Sequence, residues 1–306
     1  VHLMALSVGT RLIELGLKMG DRIGIYAENQ LEVAVFIEAA QYFGFVIVIS
    51  FDSAIYSYPG FTYHDSECSA IYISKKKLDI AYKLQCEKLK SLQFLIVPEI
   101  PDTSPDSNLE RLKDIRFVLF NELINRIDNF AAPPEIKPDT LATICYSSGT
   151  GGTPKGINLS HRAILHGAYN IISSVHVTED IIHVSFLPLA HILERITISV
   201  IMFRGGKIVF ASNGITNFLQ DTARAHGTAG PIIPIALERM HDAIKSKVPS
   251  KFLTGLLKIN KFFSYFGLRS RITDLLLFRK IQKVFGGNLE WYVVAGDVFS
   301  ADVHEF

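Results

Sequence analysis

The segment Tyr146-Ser147-Ser148-Gly149-Thr150-Gly151-Gly152-Thr153-Pro154-Lys155-Gly156 gathers hydroxyls, glycines and one lysine into a single turn between two apolar stretches. Ser147, Ser148, Thr150 and Thr153 supply short O–H donors, while Gly149, Gly151 and Gly152 let backbone N–H groups approach a ligand closely. Lys155 adds one mobile positive charge. Donors and a cation converging on one place suit a polyanion, above all the phosphates of a nucleotide. Two familiar phosphate loops are excluded by register. A P-loop needs Gly-Lys followed by Ser or Thr, whereas here Pro154 precedes Lys155 and Gly156 follows it; the glycines do not fit Gly-x-Gly-x-x-Gly either. A plain flexible connector would rarely end in Pro-Lys-Gly.

A second group of chemical residues lies in Leu187-Pro188-Leu189-Ala190-His191-Ile192-Leu193-Glu194-Arg195. His191 and Glu194 stand three residues apart, which puts them on one face of a helix. One His and one Glu do not make a metal site, and His-Glu-x-x-His is absent. Cys68, Cys86 and Cys145 are odd in number and widely spaced, so they form neither a metal spacing nor a disulfide framework, as in a reducing compartment.

These residues need a scaffold, and the chain has the means to build one. Its 306 residues are 48% hydrophobic and 20% charged, enough for a large core. A net charge of +1 gives no basic field for nucleic acid. Short β-branched runs alternate with helical patterns, which predicts an α/β fold of stacked βα units with mostly parallel sheets. Strands are expected at Arg22–Tyr26, Phe45–Ile49, Ala70–Ile73, Phe94–Val97, Leu141–Tyr146, Ile181–Leu187, Lys207–Phe210, Thr228–Ile232 and Leu289–Ala295. Helices are expected at Glu32–Tyr42, at Lys75–Lys90 with a solvated lysine face, and at Ala163–Ile172 capped by Ser160. Phe252–Phe285 has the spacing of an amphipathic helical pair, read as core packing ahead of a membrane-resting surface. The polar breaks at Pro98–Ser107 and Ala131–Pro138 divide the chain into expected subdomains 1–130 and 131–306. No run approaches the roughly 20 apolar residues of a membrane span.

The Tyr146–Gly156 segment resembles the phosphate-binding signature of the adenylate-forming (AMP-binding) enzymes, the superfamily of acyl-CoA synthetases, luciferases and peptide synthetase adenylation domains. Every fixed position of Tyr-(Thr/Ser)-Ser-Gly-Thr-Thr-Gly-x-Pro-Lys-Gly agrees except Gly151, where the family usually has threonine. Ser160-His161-Arg162 is similar to the family's (Thr/Ser)-His-Arg. The Leu187–Arg195 segment resembles Leu-Pro-Leu-Ala-His-x-x-Glu-Arg of the long-chain fatty acid–CoA ligases, and Leu15–Asn29, His64–Ser74 and Ala236–Arg239 resemble further parts of the same enzymes.

The resemblance implies the large N-terminal domain of the adenylate-forming fold. It implies activation of a long-chain fatty acid with ATP and Mg²⁺ to an acyl-adenylate, then transfer to coenzyme A. Ser147, Ser148, Gly149, Thr150, Gly151, Gly152, Thr153 and Lys155 would hold the nucleotide phosphates, with Thr150 also the candidate Mg²⁺ contact. His191 and Glu194 would lie beside the acyl and nucleotide pockets as the candidate catalytic pair, with Glu194–Arg195 read mainly as a structural ion pair. Gly296 and Asp297 fall where the family has its adenine-binding loop, usually Ser-Gly-Gly-Ala-Pro-Leu-Ser. The chain departs from the pattern at Asp297, at Val298 in place of proline, and at Ile235 in place of arginine. The family's Tyr-Gly-x-Thr-Glu motif and mobile C-terminal domain are not found in it, so the chain reads as a fragment, incomplete at both ends and expected to complete neither half-reaction alone. By resemblance it would face the cytosol at the endoplasmic reticulum, outer mitochondrial membrane or peroxisome, with peripheral membrane contact an option. Two alternatives stand: a ligase for another carboxylic acid, or a non-catalytic lipid- or nucleotide-binding relative.

Overall fold

The computed structural model describes residues 1–50, 60–125, 129–147, 154–175, 177–247 and 279–295. The uninterrupted apolar runs become strands covered on both faces, as parallel strands must be. β1 (Arg22–Tyr26), β2 (Val46–Ile49), β3 (Ala70–Ile73) and β4 (Phe94–Val97) are joined by β5 (Phe117–Leu119), β6 (Leu141–Ser147) and β7 (Lys155–Ser160). They form one seven-stranded sheet in the order β5-β4-β3-β1-β2-β6-β7. Every neighbouring pair is parallel except β6–β7, which is antiparallel.

Helices α1 (His2–Glu14) and α2 (Leu31–Phe43) pack together. Their approach depends on Gly9, because a Cβ there would sit 2.0 Å from the Phe43 ring. Helix α2 ends at Gly44, whose φ of 71° is the left-handed cap that glycine adopts without strain. The short helix α3 (Phe61–Asp65) precedes β3.

The lysine-rich stretch corrects an expectation. It is not one helix over Lys75–Lys90: a helix at Lys75–Leu78, α4, gives way to 3-10 turns at Ala81–Leu84 and Cys86–Lys88, with Gln85 left-handed at φ 53° between them. The buried side chains explain the break. Leu78, Ala81 and Leu84 repeat every three residues, which suits a 3-10 turn and would drift around an α-helix. The lysines are solvated as expected, with Lys75 and Lys76 paired at the surface to Glu99 and Glu28.

The chain divides into two compact units, Val1–Asn170 with Pro188–Ile196, and Ile171–Leu187 with Thr197–Phe306. Helix α5 (Phe120–Ile124) precedes the linker at 131–138, and the sheet continues past that linker through β6 and β7. Helix α6 (His161–Ser174) comes directly after β7. In the second unit β8 (Ile182–Ser185) pairs parallel with β9 (Lys207–Phe210), and β10 (Ala229–Ile232) with β11 (Trp291–Val294). The amide and carbonyl of Ile182 bond to the Thr228 hydroxyl and amide, tying β8 to the residue just before β10. Helices α7 (Ile192–Arg204), α8 (Gly214–Ala225) and α9 (Pro234–Lys247) lie between these strands in sequence. Of Phe252–Phe285, only the helix Arg279–Val284 and Phe285 fall within the described residues.

Candidate functional site

Strand β6 delivers the hydroxyl-rich segment to the carboxyl edge of the sheet, the edge where parallel sheets bind ligands. The next element is a strand, not the expected helix. β7 folds back on β6 in an antiparallel pairing with Cys145 opposite Ile157, Tyr146 opposite Gly156 and Ser147 opposite Lys155. The phosphate-loop candidate therefore sits at the end of a hairpin, and Ser160 caps α6 only after β7, accepting a bond from the Ala163 amide at 3.3 Å. Lys155 stands at the base of that loop, exposed and across from Ser147. Ser148, Gly149, Thr150, Gly151, Gly152 and Thr153 lie outside the described residues, as do Gly296, Asp297 and Val298.

Alternation along the two strands gives the hairpin two different faces. Tyr146 and Gly156, the first and last residues of the motif, are cross-strand partners on one of them. A Cβ on Gly156 would lie 3.0 Å from Ile144 and 3.2 Å from the Tyr146 ring, so glycine there leaves room for the phenol. The Tyr146 hydroxyl donates to the Asp65 carboxylate at 2.6 Å, and its ring meets Phe61 edge-on. Burial first, then the Asp65 hydrogen bond and charge, push the phenol far above its ordinary pKa, so it remains a donor.

Thr143, Cys145 and Ser147 point to the other face, and there Arg195 is buried. Its guanidinium fork donates to the Thr143 hydroxyl and the Cys145 sulfur, while Thr143 donates onward to the Ile47 carbonyl of β2. Burial pulls the Arg195 pKa down and pushes the Cys145 thiol up; their mutual contact opposes both effects.

The Leu187–Arg195 segment reaches the same sheet edge. The Leu189 amide donates to the Asn29 side chain at 3.1 Å, and Asn29 lies just past the carboxyl end of β1. His191 stands one residue ahead of α7, so it is a turn residue and not part of the helical face expected for it with Glu194. Its ring emerges at the surface, yet neighbouring atoms shield it enough to lower its pKa. Glu194 is fully buried in the first turn of α7. Ser160-His161-Arg162 has a structural task at the surface, where Arg162 grips Asp139 with two bonds of 2.8 and 3.1 Å. Among the described residues no group of three or more His, Cys, Asp or Glu side chains could hold a metal ion. Asp65 carries no local sequence signal for its contact with a tyrosine 81 positions away.

The family model for AMP-binding enzymes matches residues 1–306. The chain belongs to the AMP-binding enzyme family. The similar curated relatives of this AMP-binding chain include the peroxisomal long chain acyl-CoA synthetase 7 of Arabidopsis thaliana and the human long-chain-fatty-acid–CoA ligase 1. Each is 27% identical over 98% of the chain. The chain spans less than half the length of these relatives, 44% and 45% respectively. Its AMP-binding fold is also that of solved adenylation domains. The A-PCP didomain of a carboxylic acid reductase from Segniliparus rugosus, in complex with AMP, superposes with a TM-score of 0.75 at 18% identity, covering 98% of this chain and 43% of that one. An anthranilate CoA ligase in complex with anthranoyl-AMP superposes with a TM-score of 0.67 at 18% identity, covering 80% and 46%.

Proposed function

We propose that this chain carries the phosphate-gripping part of an ATP-dependent long-chain fatty acid–CoA ligase. The observation that supports it most is the Tyr146–Gly156 motif at the carboxyl end of β6, its first and last residues paired across a hairpin braced on both faces. In that reaction a carboxylate oxygen of the fatty acid attacks the α-phosphorus of ATP, and the bond to the bridging oxygen breaks to release pyrophosphate. The coenzyme A sulfur then attacks the acyl carbonyl. AMP leaves as the acyl C–O bond breaks, and the thiol proton passes to solvent.

The fatty acid is already ionised, so the obstacle is anion meeting anion and not a missing base. Ser147, Ser148, Thr150, Thr153 and Lys155 would hold the β- and γ-phosphates, with amides freed by Gly149, Gly151 and Gly152. Gly296 and Asp297 would face the adenine, and His191 and Glu194 would border the acyl and nucleotide pockets. Mg²⁺ would share the phosphate charge, with the Thr150 hydroxyl as this chain's contact; a hydroxyl suits an ion that takes most of its ligands from phosphate and water. Long-chain preference is supported by the names of the curated relatives and by the Leu187–Arg195 segment. Among the described residues no helix is long and apolar enough to cross a membrane, and a peripheral, cytosol-facing association is the location we propose.

The test is a titration with non-hydrolysable acyl-sulfamoyl adenosines. The palmitoyl analogue is expected to bind at least tenfold tighter than the acetyl analogue and to compete with ATP. Equal affinities would remove the long-chain assignment, and failure to compete with ATP would remove the ligase assignment.

A further inference from the structure

The hydroxyls and lysine of a phosphate loop can act only if the loop is held at one height above the sheet edge. The hairpin root here has a device for that. Tyr146 is 5% exposed and is fixed by three contacts: Phe61 against its ring, Gly156 beneath it, and Asp65 on its hydroxyl. Phe61 and Asp65 open and close the same short helix, α3, so one element holds both ends of the side chain. Helix α3 is itself anchored. The buried Tyr63 donates to the Ile25 carbonyl of β1 at 2.6 Å, and a Cβ on Gly60 would collide with the Leu84 carbonyl oxygen at 2.1 Å. Position passes from the central strand through α3 to the last strand pair before the loop.

We infer that Asp65 is a positioning residue for the phosphate loop, fixing the Tyr146–Gly156 base through the Tyr146 hydroxyl. This rests on the Tyr146–Gly156 loop being the nucleotide-phosphate site. Asp65 is exposed, so its removal opens no cavity, and its side chain combines an acceptor oxygen with a negative charge. The charge opposes a polyanion, whereas the acceptor oxygen holds the Tyr146 hydroxyl. The asparagine variant separates the two effects, because it keeps an acceptor oxygen and drops the charge.

The experiment titrates Mg²⁺–ATP into the 306-residue chain by calorimetry, and tracks amide hydrogen exchange across residues 141–160. Asp65→Ala and Tyr146→Phe are expected to weaken ATP about threefold to tenfold, the effect of one lost hydrogen bond. Both should speed exchange at Ser147 and Lys155. Asp65→Asn should hold ATP affinity at or above wild type, with wild-type exchange. Combining Asp65→Ala with Tyr146→Phe should weaken binding no further than either alone. Wild-type affinity and exchange in Asp65→Ala would overturn the inference, as would an Asp65→Asn variant as weak as Asp65→Ala. Absence of ATP binding by the wild-type chain would instead remove the phosphate-site reading, while the exchange data would still report on the clamp.

Discussion

Gly9→Ala is the substitution for which ordinary helix rules and this structure give opposite signs. Alanine in a helix interior is favoured over glycine by about 1 kcal/mol. At position 9, however, the added methyl would lie 2.0, 2.2 and 2.9 Å from three atoms of the Phe43 ring. Ordinary carbon contacts are about 3.5 Å, so the ring would have to retreat by about 1.5 Å. Phe43 is 1% exposed and stacks on Phe45, so it has nowhere to go without moving its neighbours. Overpacking of that size costs about 3 kcal/mol, leaving a net loss of about 2 kcal/mol after the helix gain. Urea unfolding monitored by far-UV circular dichroism would show it as a lower midpoint. The decisive version is a double-mutant cycle. In a Phe43→Ala background the obstruction is gone, and Gly9→Ala should become stabilising by up to about 1 kcal/mol. The same loss in both backgrounds, or a stabilised single variant, would refute the packing argument.

Buried polar groups give two further expected outcomes. Burial holds the Cys68 and Cys86 thiols up at about 12 against an ordinary 9.0, so the unfolded chain ionises them first. Their contribution is complete below pH 9 and is lost as pH rises towards 12, by about 1.4 kcal/mol per pH unit for each thiol. A Cys68→Ala/Cys86→Ala variant should show a correspondingly shallower alkaline decline in unfolding free energy; an unchanged slope contradicts this. Arg195→Lys cannot reach Thr143 and Cys145 together, because an ammonium lacks the planar fork. Thermal unfolding should report a loss of about 1.5–3 kcal/mol, and an unaltered midpoint would count against the bracing role.

The central strands are legible because hydrophobic burial writes them directly into sequence. Arg22–Tyr26, Ala70–Ile73 and Phe94–Val97 in the large sheet, and Lys207–Phe210 in the second unit, have the bounds expected from sequence. The hairpin strand Lys155–Ser160 is not legible for the converse reason: it lies at a sheet edge, Lys155 through Asn158 are exposed, and only Ile157 and Leu159 carry an apolar alternation, too short to mark a strand. A helix placed straight after the glycines makes the loop look like a helix-terminus phosphate site, which it is not. The lysine-rich segment misleads in another way, because its charges mimic a helical face while Leu78, Ala81 and Leu84 keep a three-residue period. The side-chain contacts at the hairpin strands cannot be read from sequence at all. Asp65–Tyr146 and Arg195–Cys145 join residues 81 and 50 positions apart, and only the folded sheet brings them together.

Whether the Tyr146–Gly156 segment is a nucleotide-phosphate loop matters most, and one competition titration addresses it directly. Mg²⁺–ATP should bind the wild-type chain saturably, pyrophosphate should displace it, and Lys155→Ala should weaken both ligands about tenfold, as loss of a charge-assisted contact does. ATP binding that is indifferent to pyrophosphate and to Lys155, or no binding at all, would contradict the claim.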